Sequence, residues 1–179
     1  MRKLTIEEMG RMDVATFREA DKLAVVVVLD NVRSLHNVGA VFRTADAFAL
    51  HGLCLCGITA TPPSAEIHKT ALGAEDTVAW TYHADTLEAV IALKREGYKL
   101  LAVEQVEGST SLSDLTLSPN DKVALVMGNE VKGVRQEVID ICDGAIEIPQ
   151  YGTKHSLNVS VSAGIVMWEV QKALRQGKD

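Results

Sequence analysis

Hydrophobic positions along the chain alternate between two patterns. Short apolar runs, rich in β-branched residues and bounded by polar segments, predict buried strands. The intervening segments show helical spacing, as where Val38, Val41, Phe42 and Ala45 recur at i, i+3, i+4 and i+7. This alternation predicts an α/β fold with a mostly parallel six-stranded sheet flanked by helices. The six predicted strands are residues 24–29, 52–57, 77–82, 98–103, 122–127 and 145–148.

The segment before the first strand has a different composition. Residues 1–22 mix positive and negative side chains with scattered apolar ones, which predicts a short N-terminal arm that packs on the domain or contacts a substrate. Residues 23–179 are predicted to form one domain. No secretory signal pattern and no apolar run of membrane-spanning length is visible, so we expect a cytoplasmic protein that does not enter a membrane.

Composition narrows the classes of function. The net charge of −6 argues against a protein that coats nucleic acid through an overall basic field, although it allows a local basic patch. Cys54, Cys56 and Cys142 match neither a zinc spacing nor a disulfide framework. We therefore expect no metal site and, for the pair Cys54 and Cys56, buried or half-buried thiols on opposite faces of a strand.

Two irregular loops stand out between residues 122 and 165. Residues 128–133 and 149–155 each follow an apolar run predicted to be a buried strand. Loops at the carboxyl ends of such strands are where α/β proteins usually bind ligands, so these loops predict a cofactor slot. Periodicity leaves open whether residues 158–162 form a strand or a helix. Gly39, in the first turn of a predicted helix, indicates that something approaches the backbone closely.

Common catalytic signatures are missing from the sequence. It contains no G-x-G-x-x-G, Walker, H-E-x-x-H or G-x-S-x-G pattern, which weakens the case for a Rossmann dehydrogenase, a P-loop NTPase, a zinc protease or an α/β-hydrolase. Three other segments do form an ordered set. They are Asn37-Val38-Gly39-Ala40-Val41-Phe42-Arg43, Val126-Met127-Gly128-Asn129-Glu130, and Ile148-Pro149 followed by Ser156-Leu157-Asn158-Val159-Ser160.

Over residues 24–175 the chain resembles the SpoU (TrmH-like) branch of the SPOUT RNA methyltransferases, whose motifs these three segments match in order. The resemblance implies a C-terminal deep trefoil knot, an exception to the rule that chains are unknotted. It also implies a helix from Leu157 onward, a homodimer with shared active sites, and S-adenosylmethionine as cofactor. The implied cofactor-binding residues are Gly128, Asn129, Ile148, Leu157 and Glu104.

The same resemblance implies methyl transfer to a ribose 2′-OH of tRNA or rRNA. The implied catalytic residues are Arg43, Asn37, Glu130, Ser156 and Asn158. Taken alone, Arg43 would be interpreted as a surface partner of Asp46. The family match makes it the catalytic arginine, and because a guanidinium has a pKa above about 12, we expect it to bind the target phosphate or hydroxyl. Asn37 and Asn158 are expected to orient that arginine or the ribose.

RNA contacts are expected beside the motif loops. The predicted RNA-binding residues are Arg33, His36, Lys132, Lys154 and His155, which with Arg43 and Arg135 would form a local basic patch. Nothing predicts DNA binding, and tRNA is favoured over rRNA because no separate RNA-binding domain is evident. Three alternatives remain: a related enzyme that methylates a base, a catalytically inactive RNA- or nucleotide-binding protein, and an unrelated α/β nucleotide enzyme.

Overall fold

Seven parallel strands form a single sheet in the computed structural model, which describes residues 1–5 and 7–176. Their order across the sheet is β3-β2-β1-β6-β4-β7-β5. The predicted number of six strands is therefore wrong by one. The additional strand pairs only Thr110 and Ser111 with β7, and two residues are too few to show a hydrophobic period.

The strands and helices alternate as the sequence pattern predicts. The strands are β1 (Leu23–Asp30), β2 (Leu50–Cys56), β3 (Ala79–His83), β4 (Lys99–Val103), β5 (Thr110–Ser111), β6 (Val123–Met127) and β7 (Gly144–Glu147). The α-helices are α1 (Val14–Glu19), α2 (Leu35–Ala47), α3 (Ala65–Ala71), α4 (Thr86–Arg95), α5 (Gln136–Ile139) and α6 (Val159–Arg175). Short 3₁₀ helices cover Glu7–Met9, Ala74–Asp76 and Leu112–Asp114.

Helices cover both faces of the sheet. On one face, α2, α3 and α6 bury the apolar side chains of alternate strand positions such as Val25, Val27 and Leu29. On the other face, α4 and the start of α5 pack against Val26 and Val28. Because successive side chains of a strand point to opposite faces, a strand covered on both sides must be apolar throughout, which explains the continuous run in β1.

Helix α3 lies directly on the first turns of α2. A Cβ atom added at Gly39 would stand 2.3 Å from the carbonyl oxygen of Ile67 and 2.2 Å from the hydroxyl of Thr70. The close approach predicted at Gly39 is thus made by a helix of the same chain. It fixes the position of α2, whose N-terminus carries two of the predicted site residues.

The last helix begins at Val159, with the Asn158 side chain accepting hydrogen bonds from the backbone N–H groups of Ser160 and Val161. This cap settles the choice between strand and helix for residues 158–162 in favour of the helix, which begins two residues after Leu157. Asn158 is the cap of this helix. Ser34 caps α2 in the same way, through the backbone N–H of Asn37.

The positions of two cysteines differ from the prediction. Cys54 and Cys56 are buried on the same face of the sheet. The expectation of opposite faces is wrong, because residues i and i+2 of a strand share a face.

Residues 1–22 precede β1, and their described part contains one short α-helix. Within the part of the chain that the structure describes, no helix has the length and hydrophobicity needed to cross a bilayer.

Candidate active site

The carboxyl ends of four neighbouring strands meet at one edge of the sheet. Leu29 of β1 is aligned with Met127 of β6, Met127 with Val103 of β4, and Val103 with Ile146 of β7. Three segments that leave this edge are called here the β1 loop (residues 31–34), the β6 loop (residues 128–134) and the β7 loop (residues 148–158). Parallel strands place such loops side by side, as the position of the two irregular segments predicted.

A cleft of about 730 Å³ opens between the β6 loop, the β7 loop and the residues that follow β4. Its size falls within the range of small-molecule sites. All five residues predicted to bind the cofactor line this cleft: Gly128, Asn129, Ile148, Leu157 and Glu104. Its apolar lining comes from the ends of the strands and from the β7 loop, including Met127, Ile146, Ile148 and Leu157.

The β6 loop folds back tightly on itself, and this explains Gly128. A Cβ atom there would stand 2.0 Å from the carbonyl carbon of Gly133 and 2.1 Å from the backbone nitrogen of Val134. The Asn129 side chain accepts from the N–H groups of Val131 and Lys132, at 2.9 and 2.8 Å. Gly128 and the Asn129 side chain therefore shape the loop, and cofactor contacts from this loop would come chiefly from its backbone.

Glu104 also holds the β6 loop. One carboxylate oxygen accepts from the backbone N–H of Val134 at 3.0 Å, and the other from that of Gln105 at 3.0 Å. A side chain at Gly133 would collide with this carboxylate, since an added Cβ would lie 2.0 Å from Glu104 Oε2. Glu104 lines the cleft and at the same time closes the loop beside it.

Glu130 joins the β6 loop to the β1 loop. Its carboxylate accepts from the backbone N–H groups of Arg33 at 3.1 Å and Ser34 at 3.2 Å, and from the Asn37 amide at 3.1 Å. Burial acts to raise the pKa of Glu130, but hydrogen bonds from its own backbone, the β1 loop and Asn37 outweigh it and lower the pKa from the usual 4.5. The carboxylate is therefore ionised at neutral pH, where it accepts these hydrogen bonds best.

The amide of Asn37 links the first motif to the third. Asn37 Oδ1 accepts from Asn158 Nδ2 at 3.2 Å and from the Ser160 hydroxyl at 3.3 Å. The same Ser160 hydroxyl lies 2.7 Å from Asn158 Oδ1, so its single hydrogen is shared between the two amide oxygens. The predicted residues Asn37, Glu130 and Asn158 are thus brought together in one network. Sequence reasoning missed Ser160 as a member, although it stands within the third motif.

Ser156 and Arg43 occupy different places. Ser156 is exposed and lines the cleft. Arg43 is exposed on α2, away from the cleft lining, and within the described part of the chain its side chain makes no hydrogen bond or salt bridge. The pair that Arg43 might have formed with Asp46 is not made, since an Asp46 oxygen accepts from the Thr77 hydroxyl at 2.7 Å. Within this single chain, Arg43 therefore does not reach the cleft.

The predicted RNA-binding residues separate into two groups. Lys132 and His155 line the cleft, and Arg33 and Lys154 are exposed on the β1 and β7 loops. His36 instead contacts Glu66, with 3.0 Å between His36 Nε2 and the carboxylate. Arg135, which was expected to extend the basic patch, is paired with two carboxylates, Asp85 at 2.6 Å and Asp30 at 3.5 Å. The patch is therefore smaller than predicted.

Metal ligands do not gather in the described residues: no group of three or more His, Cys, Asp or Glu side chains there could hold a metal ion. The cleft is instead polar at the loop backbones and apolar where the strands end.

The model of the SpoU rRNA Methylase family matches residues 24–168. The 23S rRNA (guanosine-2′-O-)-methyltransferase RlmB of Neisseria meningitidis serogroup B is 34% identical over 148 residues, which are 83% of this chain and 58% of that protein. The A. aeolicus TrmH/SpoU tRNA modifying enzyme has a similar structure, with a TM-score of 0.80, 28% identity, and coverage of 92% of this chain and 83% of that one.

A second solved structure, the AdoMet-bound rRNA methyltransferase from Sinorhizobium meliloti, has a TM-score of 0.78 and 29% identity, and covers 88% of this chain and 60% of that one. The fold and the three convergent motifs define a SPOUT-type α/β domain. The chain belongs to the SpoU rRNA Methylase family. It spans less than two thirds of the length of the Neisseria relative.

Proposed function

We propose that this protein transfers a methyl group from S-adenosylmethionine to a ribose 2′-OH of RNA. The observation that carries this proposal is that the first motif is hydrogen-bonded to the second and third motifs, which together line one cleft. Asn37, Glu130 and Asn158 come from three separate segments and are joined by hydrogen bonds of 3.1 and 3.2 Å. The printed names of the relatives, which include 23S rRNA 2′-O-methyltransferases and an AdoMet-bound rRNA methyltransferase, support the same reaction.

The cleft fits S-adenosylmethionine in size and in chemistry. Its volume of about 730 Å³ exceeds what a nucleoside needs. Ile148 and Leu157 provide apolar surface for an adenine ring, and the β6 loop provides backbone groups for its polar edge. The carboxylate of Glu104 suits the positive charge of a sulfonium. When bound, S-adenosylmethionine supplies a methyl group already activated for transfer.

The ribose oxygen loses its proton to the neighbouring phosphate or to water as it takes the methyl group, so the chain's own contribution is to position the ribose. Asn37 and Asn158 use their amides on each other and on Glu130, so we assign them to holding α2 and α6 in place. The side chains of Ser156 and Arg43 make no hydrogen bond within the described residues. We assign Ser156 to the ribose, and Arg43 to the phosphate or the hydroxyl beside it, because a guanidinium binds oxyanions in a defined geometry.

Arg43 reaches such a site most simply from a second subunit. One face of α6 exposes a row of apolar side chains, with Val161 at 51%, Ile165 at 39% and Trp168 at 54% exposure. Their spacing places them on one side of the helix, opposite the buried stripe. We propose that this row forms a homodimer contact, and that each active site takes Arg43 from the partner subunit.

The trefoil knot is part of the same proposal. After β7 the chain runs along the cleft as the β7 loop. Helix α6 then packs against α2, which follows β1, so the chain has crossed back past β4 and β6. This return path, together with the family resemblance, supports threading of the C-terminal segment through a loop. The knot would hold the β6 and β7 loops together around the cofactor.

The substrate class is RNA. Arg33, Lys132, Lys154 and His155 lie on the three loops, on a chain whose net charge is −6. Local positive charge at the cleft rim is enough to contact a few phosphates. tRNA is preferred over rRNA in this proposal, whereas the relatives' names include both.

The test is to incubate the protein with methyl-labelled S-adenosylmethionine and separated tRNA and rRNA, and then to digest each RNA to nucleosides. Label in a 2′-O-methylnucleoside, absent with Arg43→Ala, is the expected result, and the labelled fraction identifies the RNA class. Label on a base would instead indicate a base-directed enzyme. Binding of the cofactor without transfer to either RNA would favour an inactive binding protein.

A further inference from the structure

A buried carboxylate stands at the end of β1, outside the set of motif residues. Asp30 has 0% exposure. Its Oδ1 atom accepts from the Asn31 amide at 2.8 Å and from the Thr86 hydroxyl at 2.5 Å. A buried carboxylate is costly unless it is fully hydrogen-bonded, so its partners indicate what it holds in place.

The remaining oxygen of Asp30 binds the end of the β6 loop. Asp30 Oδ2 accepts from the backbone N–H of Arg135 at 3.3 Å, and Arg135 directly follows Val134, the last residue of that loop. The Arg135 guanidinium lies beside the same carboxylate, with 3.5 Å between Nε and Oδ1. It also donates to Asp85 at 2.6 Å, which ties both residues to the start of α4.

This contact is the reciprocal of the one that Glu130 makes. Asp30 adjoins the β1 loop and accepts from the backbone of Arg135, at the end of the β6 loop. Glu130 belongs to the β6 loop and accepts from the backbone of Arg33 and Ser34, in the β1 loop. Asp30 thus bonds the residue that follows the β6 loop, and Glu130 bonds the β1 loop that follows Asp30. These two links together are called here the clasp.

We infer that Asp30 and Arg135 are positioning residues, which hold the β6 loop against the β1 loop. They thereby fix the position of the cofactor cleft relative to Asn37 on α2. This inference rests on the proposed function for its catalytic meaning, but the clasp itself is a property of the free protein. The hydrogen bonds of Asp30 and of Glu130 join the same two short stretches of chain, so a movement that breaks one also moves the other. Loosening one should therefore weaken the hydrogen bonds of the other.

The test uses Asp30→Asn, which keeps the size of the side chain and removes its charge. Amide exchange is measured residue by residue by NMR in protein without cofactor, and binding of S-adenosylmethionine by calorimetry. Exchange at the Arg33 and Ser34 amides, which Asp30 does not touch, should speed up about tenfold, as expected when a charge-assisted hydrogen bond is weakened. The affinity for S-adenosylmethionine should fall about tenfold for the same reason.

Asp143→Asn is the matched control. Asp143 likewise accepts from a backbone N–H, that of Leu100 at 2.8 Å, and pairs with Lys94 at 2.9 Å, but it lies at the opposite end of the strands. It should leave both the Arg33 and Ser34 exchange rates and the cofactor affinity unchanged. Should Asp30→Asn fail to fold, Arg135→Lys keeps the Asp30 carboxylate and the backbone N–H of residue 135 but loses the guanidinium bond to Asp85, and it should raise the same two exchange rates by a smaller factor.

Unchanged exchange at Arg33 and Ser34, alongside faster exchange at Arg135, would overturn the inference, because the two links would then act independently. A uniform rise across the whole chain would overturn it as well, since Asp30 would then support only global stability. If the unmodified protein does not bind S-adenosylmethionine, the proposed function fails, and the exchange rates still decide whether the clasp exists.

Discussion

Asn158 donates a hydrogen bond from its side-chain amide to the Asn37 side chain at 3.2 Å, across 121 positions of sequence. The contact joins the first turn of α2 to the N-cap of α6. With the Glu130 carboxylate 3.1 Å from the other end of the Asn37 amide, it brings all three motifs within a few atoms of one another. A ligand that binds the cleft therefore contacts a structure already ordered around Asn37.

Gly128→Ala should disrupt the β6 loop. The added Cβ would stand 2.0 Å from backbone atoms of Gly133, so the loop must shift away from its present path. Overpacking of this kind costs about 1–3 kcal/mol of unfolding free energy, and we expect S-adenosylmethionine affinity to fall at least about tenfold. Urea unfolding and calorimetry measure the two effects.

Gly152→Ala is the control for that substitution, because nothing lies within 4 Å of a Cβ added there. Gly152 stands in the β7 loop, on the other side of the same cleft. Equal loss of cofactor affinity in the two variants would show that the tight fold of the β6 loop is not what matters.

Glu130→Gln should reduce stability in a pH-dependent way. The pKa of Glu130 is lowered on folding, so its stabilising contribution is present above the ordinary pKa of 4.5 and is lost as the pH falls through the lower folded value. Because the side chain is exposed, we expect about 1 kcal/mol between wild type and variant at neutral pH. The difference should shrink towards zero below 4.5.

Urea titrations of both proteins across this pH range provide the measurement. Glu107→Gln serves as the control, since Glu107 is an exposed carboxylate with no hydrogen bond or salt bridge within the described residues. A constant difference between wild type and Glu130→Gln at every pH would contradict the assignment of the effect to ionised Glu130.

Much of this architecture could be predicted from local pattern. Strands such as β1 show a continuous apolar run because both faces are buried, and the stripe of α2 from Val38 to Ala45 is buried as its spacing predicts. The positions of the β6 and β7 loops follow from the parallel sheet. Residues near the start of α6 were ambiguous because Val159 and Val161 favour strands, and the Asn158 cap decides the outcome.

Contacts between distant segments could not be predicted. The clasp joins Asp30 to Arg135, 105 positions apart, and no local period indicates such a pair. The sequence placed Arg135 in a basic patch because charge alone does not reveal a partner. The sequence predicts a close approach at Gly39, but it does not reveal that the approaching group is helix α3 of the same chain, at Ile67 and Thr70.

A single substitution on α6 tests the proposed dimer contact. Ile165→Glu places a charge in the exposed apolar row, where burial in an interface would leave it unpaired. We expect the variant to sediment as a monomer and to lose methyl transfer. Ile91→Glu is the control: Ile91 is 37% exposed, against 39% for Ile165, but lies on α4 at the other face of the sheet. Identical sedimentation of the two variants would argue against the α6 contact.

The three thiols should be unreactive in the folded protein. Burial raises the pKa of Cys56 to about 12 and that of Cys142 to about 11, and it also raises the pKa of Cys54. Because the thiolate is the reactive form, a disulfide reagent such as Ellman's reagent should label the native protein very slowly at neutral pH. All three thiols should react with the reagent after unfolding. Rapid labelling of one cysteine in the native state would show an accessible thiolate that this structure does not contain.

Mixed dimers provide the sharpest test of how Arg43 is used. Arg43→Ala leaves the cleft intact, and Leu157→Asp disrupts the cleft while leaving Arg43 in place. Each variant alone should be inactive. If each site takes its arginine from the partner, a mixed dimer contains one complete site. The isolated mixed dimer should then recover roughly half of wild-type activity, because one of its two sites is complete. If Arg43 acts within its own subunit, mixing restores nothing, since every subunit carries one defect. Methyl transfer to RNA, measured after the variants are co-expressed with different tags and the mixed species is isolated, distinguishes the two arrangements.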